Sequence, residues 1–126
     1  MEKSTEEFGP IKLFEPRNFI NREGYYDCEI IDLSYLEKIE KPLKVFFEVF
    51  KGKYKGTRLS AVFYYKDIKG KARLTYLCQA VGILGELENP KELLGKRLKL
   101  RVLPKYNEYE GKTYRNYLIT RFHSLK

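Results

Sequence analysis

Residues 69–85 read KGKARLTYLCQAVGILG, and the spacing of their apolar side chains decides the fold. Leu74, Leu77, Cys78, Val81 and Leu84 recur at helical intervals, with Gly82 or Gly85 placed to end a helix. On both sides of this stretch the apolar residues recur at every second position, the period of a strand. A single helix therefore sits inside a chain of strands, and the number of strands before and after it names the architecture.

Upstream there are three. YYDCEIIDLSYL places Tyr26, Cys28 and Ile30 in one phase, then slips so that Ile31, Leu33 and Tyr35 fall in step. Such a slip predicts a bulge in a long, bent strand over residues 24–36. A polar connection closed by Pro42 leads to LKVFFEVF, with Leu43, Val45, Phe47 and Val49 on one face and Lys44, Phe46, Glu48 and Phe50 on the other. KGKYKG supplies Gly52 and Gly56 for a hairpin loop. TRLSAVFYYK then alternates Leu59, Ala61, Phe63 and Tyr65 against Arg58, Ser60, Val62 and Tyr64.

Downstream there are two. NPKELLG reads as a helical turn capped by Asn89, with Pro90 at its first position. GKRLKLRVLPKY sets Leu98, Leu100 and Val102 against Arg97, Lys99 and Arg101, and TYRNYLITRFH returns as the last strand. Between them, the tyrosine-rich stretch from Lys105 to Tyr114 is expected to be a loop. Three strands, a helix and two strands make the order of a five-stranded OB-fold barrel, an all-β domain with one helix between strands three and four. An SH3-like barrel is the rival, but it lacks a full helix at that point.

The chain has 126 residues, 43% of them hydrophobic, enough for one core and too few for two. Residues 1–23, with Pro10, Pro16 and many charges, read as an arm or tail, leaving 24–126 for the domain. No apolar run approaches the roughly 18 residues that cross a bilayer. The start, MEKSTEEF, lacks the basic-then-apolar order of a secretion signal, so a cytoplasmic protein is expected. The two cysteines, Cys28 and Cys78, and the single His123 are too few for a zinc site. Both cysteines read as small buried hydrophobes. A disulfide is the alternative if the source lives hot, to which the Lys/Glu-rich composition and the single Gln79 point.

The formal net charge is +8, and its distribution is uneven. Residues 51–73 carry eight basic side chains against one acidic, and residues 96–126 carry nine against two. The same two segments hold seven of the eleven tyrosines. Cations suit a polyanion and flat rings suit bases, and a single strand offers both where a duplex hides its bases. OB barrels bind along strands two and three, between the loops after strands one and four. On that scheme Lys53, Lys55, Arg58, Lys105, Lys112 and Arg115 would hold phosphates. Phe46, Tyr64, Tyr106, Tyr109 and Tyr114 would stack bases, and Tyr54 would either touch ligand or lid its hairpin. Tyr26, Tyr65, Tyr76 and Tyr117 are expected in the core, and His123 at the surface. Arg97, Lys99 and Arg101 are equally well read as a solvated strand face.

VFFEVFKGKYKGTRLSAVFYY, LTYLCQAVGIL and PKELLGKRLKLRVLPKYNEYEGKTYRNYLI resemble the small phage and prophage OB proteins linked to single-stranded DNA binding and recombination. The resemblance rests on an aromatic strand ending in a Gly-Tyr-Lys-Gly hairpin, here Gly52 to Gly56 with Lys53 interposed. It continues through a Leu-rich helix followed by Gly, then Leu93-Leu94-Gly95-Lys96, then the Tyr-x-Gly-Lys-x-Tyr hairpin from Tyr109 to Tyr114. Relatives commonly place Asn after the last motif tyrosine; here Arg115 stands there and Asn116 follows. Over residues 24–122 the resemblance implies an OB domain that binds single-stranded DNA without a cofactor, in replication or recombination, with self-association left open. Two other classes stand beside it: RNA binding, and a protein-interaction module with Phe46, Phe50 and Tyr54 as its docking patch. Catalysis is not expected. Asp27, Glu29, Asp32 and Asp67 do not converge on a metal, and no nucleophilic triad or phosphate loop is present.

Overall fold

The computed structural model of the protein describes Ile20, residues 22–37 and residues 41–125, without the side chains of residues 107, 109 and 113–115. Apart from Ile20, Arg22 and Glu23, the expected N-terminal arm lies outside the described residues.

The five strands are β1 (Gly24–Tyr35), β2 (Leu43–Val49), β3 (Arg58–Phe63), β4 (Arg97–Tyr109) and β5 (Lys112–His123). They form one antiparallel sheet in the order β3-β2-β1-β4-β5. The sheet curls strongly into a half-barrel of OB type, bringing its two edge strands, β3 and β5, near each other. The phase slip in strand one is real. Its register against β2 shifts between Ile30 and Asp32, leaving Ile31 as the extra residue. The bulge bends β1 so that its first half pairs with β4 and most of its length with β2.

Alternation holds on β2, β3 and the first half of β4. Leu43, Val45, Phe47, Val49, Leu59, Phe63, Leu98, Leu100 and Val102 are buried, with their neighbours on the outer face. Cys28 and Cys78 are free thiols in this core, and burial pushes the Cys28 thiol up to about 12.

The helix α1 (Ile68–Ala80) starts earlier than the apolar spacing suggested. The reason is its cap: the Asp67 carboxylate accepts the Gly70 N–H at 2.6 Å. Gly70 also lets the first turn settle on the end of β3, since a Cβ there would lie 1.9 Å from the Tyr64 carbonyl oxygen. At the other end Gly82 (φ 88°) closes a Schellman motif, donating to Gln79 while Ile83 donates to Cys78. Two residues of the expected helical face fall elsewhere. Leu84 lies past the cap and is exposed, and Tyr76 is 60% exposed rather than in the core. A 3₁₀ turn (Pro90–Leu93) with a full capping box from Asn89 and Glu92 leads into β4.

Arg73 bridges the edges of the curled sheet, where the Phe63 and Phe122 rings also meet at 5.8 Å. Arg73 of α1 donates to the Val62 carbonyl of β3 at 3.2 Å and to the Ile119 carbonyl of β5 at 2.9 Å. Its guanidinium rests against Phe63 and Phe122, 5.0 and 5.5 Å from the ring centres. Edge carbonyls that would otherwise lack partners are thereby satisfied.

Candidate nucleic-acid interface

The largest departure from the sequence reading lies in the tyrosine-rich stretch. It is not a loop. β4 and β5 remain paired from Leu103↔Leu118 out to Tyr109↔Lys112, joined only by Glu110 and Gly111. Both turn residues have positive φ (51° and 77°), as a two-residue type I′ hairpin requires. The stretch is a two-stranded ribbon that continues past Gly24, where β1 begins opposite Val102. Alternation puts Lys105, Lys112 and Asn116 on the face continuous with the outside of the barrel, and Tyr106 and Glu108 on the other.

The β2–β3 hairpin leaves the sheet at the same end. Val49 pairs with Cys28, and Phe50 N–H donates to the Asp27 carbonyl. Beyond them the Lys53 and Lys55 side chains are exposed on the loop. The start of β1 thus runs between two cationic projections, the hairpin loop and the ribbon. Among the described residues, no carboxylate pairs with Lys53, Lys55, Lys105 or Lys112.

The middle of the outer face differs. Asp27 takes Lys99 at 2.8 Å and Lys51 at 3.2 Å, Glu29 takes Arg97 at 3.0 Å, and Glu48 takes Arg58 at 3.3 Å. Arg101 pairs with Glu23. The basic face of β4 is therefore a solvated, internally balanced one. Hydrogen bonding to Lys99 holds the Asp27 carboxyl below the usual carboxylate range against the opposing effect of burial. Two rings break this charged surface. Phe46 lies under the Lys44 ammonium at 5.1 Å, and Phe50 under the Arg97 guanidinium at 4.2 Å.

Of the residues singled out in the sequence, Lys53, Lys55, Lys105, Lys112 and Tyr106 gather at one end, with Tyr106 56% exposed. Arg58 stands at the base of the hairpin with Glu48, and Phe46 stands mid-face. The side chains of Tyr109, Tyr114 and Arg115 lie outside the described residues; their backbone pairs opposite Lys112, Asn107 and Tyr106.

Two residues are placed otherwise. Tyr64 is 36% exposed but follows Phe63 at the far end of β3, beside α1. Tyr54 is only 8% exposed and meets the Tyr26 ring edge-on at 5.7 Å. Of its two weighed roles the structure supplies the lid, because the hairpin folds its apolar ring back over the open barrel end. Burial, then Tyr54, raises the Tyr26 phenol above its ordinary value. Tyr117 completes this lining, its hydroxyl accepting the N–H of buried Ile20 at 3.1 Å. Without Tyr54, the patch of Phe46, Phe50 and Tyr54 loses its third ring.

Sequence reasoning missed Tyr25, which is exposed on the outer face with its ring against His123 at 5.5 Å. It also missed a cleft of about 690 Å³ between α1 and the end of β5. The signal was present: Lys69, Arg73, Tyr76 and Ala80 are spaced along one face of a helix. No group of three or more metal-ligating side chains occurs among the described residues, and none of their helices is long and apolar enough to cross a membrane. No protein-family model and no curated protein matches the chain.

Proposed function

We propose that this protein binds single-stranded nucleic acid, DNA foremost, across the barrel end where the β2–β3 hairpin and the β4–β5 ribbon flank the start of β1. The observation that carries the reading is charge pairing. On the mid-face Arg58, Arg97, Lys99 and Arg101 are matched by carboxylates, whereas among the described residues Lys53, Lys55, Lys105 and Lys112 at this end have none. Unmatched lysines on two projections suit a flexible phosphate backbone crossing between them. Exposed Tyr25 on the outer face offers a flat surface for an unstacked base beside that crossing, and exposed Tyr106 offers a second on the ribbon's other face. The resemblance to phage OB proteins of single-stranded DNA binding and recombination agrees with this reading.

The test is a titration of labelled single-stranded DNA, single-stranded RNA and duplex DNA of one sequence at two salt concentrations. Single-stranded DNA is expected to bind tightest, with log affinity falling linearly in log salt by about 0.7 for each phosphate contact. Tighter RNA binding would reassign the nucleic acid. Affinity for none of the three would leave the module to protein interaction.

A further inference from the structure

The cleft between α1 and the end of β5 shares no lining residue with the ribbon or with the β2–β3 hairpin. One wall is the helix face of Lys69, Arg73, Tyr76 and Ala80, and the other is residues 120–123 of the last strand with Ser124 beyond it. Its volume of about 690 Å³ falls within the range of about 300–1,000 Å³ typical of small-molecule sites. None of its lining residues is acidic.

Among the described residues, two cations there lack a carboxylate. Arg73, half-buried at the floor, spends its hydrogen bonds on two main-chain carbonyls, so its positive charge stays unneutralised among the described residues. Arg121 stands directly across the ladder from Arg101. Like charges in that position repel, and Glu23 serves only Arg101. Lys69 is exposed at the rim. Beside these cations lies the Tyr76 ring, 60% exposed on the helix face that lines the cleft. The site pairs an unanswered positive field with an open aromatic surface and a small apolar floor from Ala72, Ala80 and Phe122.

We infer that this cleft is a nucleotide site, in which Arg121 and Lys69 receive the phosphate and the base lies on Tyr76. A nucleotide unit carries both the anion and the flat ring that the cleft lacks partners for. That unit is either a free nucleotide or the phosphorylated end of a strand. The inference does not rest on binding at the hairpin-and-ribbon end, which uses other residues.

The experiment is a titration followed residue by residue by amide NMR, with adenosine 5′-monophosphate, inorganic phosphate, adenosine and a 5′-phosphorylated oligothymidylate as separate probes. Saturating shifts at Tyr76 and residues 121–124 are expected, with the monophosphate binding more tightly than phosphate or adenosine. Arg121→Glu should weaken it at least about tenfold, the effect of losing one charge-assisted contact and gaining a repulsive one. Tyr76→Leu should weaken the monophosphate and leave inorganic phosphate unchanged. Both side chains are exposed, so both variants should keep the parent's far-UV spectrum and melting temperature. Cleft shifts with the oligonucleotide alone would identify a strand end as the ligand, and with the monophosphate alone a free nucleotide. The inference is overturned if neither probe moves the cleft amides to saturation, or if Arg121→Glu binds both as the parent does.

Discussion

Tyr106 and Tyr54 show how far a single residue type can mislead. Both are tyrosines flanked by lysine in Gly-bearing hairpins, yet one is open to solvent and the other roofs the barrel. Tyr106→Ala should therefore weaken single-stranded DNA binding by about 1–3 kcal/mol with little change in melting temperature, checked by fluorescence anisotropy and calorimetry. An unchanged affinity would remove the ribbon's ring from the interface. Asp27 makes a second residue-scale prediction. Its carboxyl is held below the unfolded value, chiefly by Lys99, so its contribution is present above about pH 4 and lost as pH falls through the folded-state value. Asp27→Asn should flatten the decline of melting temperature below about pH 4 while lowering the plateau near neutrality.

Among the elements, the ribbon and α1 have separable duties. From Lys105 to Asn116 none of the described side chains is buried, so replacing that span by Asn-Gly should leave the barrel folded. Binding should weaken, and the salt slope should fall by about 2 if Lys105, Lys112 and Arg115 each contact a phosphate at about 0.7 apiece. A slope that stays at the parent value would place the phosphate contacts elsewhere. The helix works through Arg73. Arg73→Leu keeps the apolar stem but strips partners from the Val62 and Ile119 carbonyls, and should destabilise the fold by about 2–4 kcal/mol in urea unfolding. Arg73→Lys should recover only part, because one ammonium does not span two carbonyls in the planar geometry of a guanidinium.

At the scale of the molecule, a seam bridged by Arg73 and by the Phe63 and Phe122 rings rather than by a ladder predicts that opening the seam and unfolding the core are coupled. Cys28, buried with its thiol pushed up to about 12, reports on that. At about pH 8 it should react with a disulfide reagent only through global opening, and Arg73→Leu should accelerate the reaction in proportion to its loss of stability. Acceleration without loss of stability would mean that the seam opens locally.

The element order, the bulge at Ile31, the hairpin glycines and the alternating core of β2 to β4 were all legible in the chain, because each follows from local period and turn chemistry. Other features were not. Tyr76 lies outside the core expected for it, and the two readings of Tyr54 stayed open, because exposure depends on which elements pack over a face and period alone cannot rank a lid against a ligand contact. The ribbon was read as a loop because its polar, tyrosine-rich strands carry no hydrophobic alternation. Composition alone determined that cations and rings abound in two segments. Only the tertiary structure decided which cations are matched by carboxylates, since β1 brings Asp27 and Glu29 against β4 from about 70 residues away in the chain.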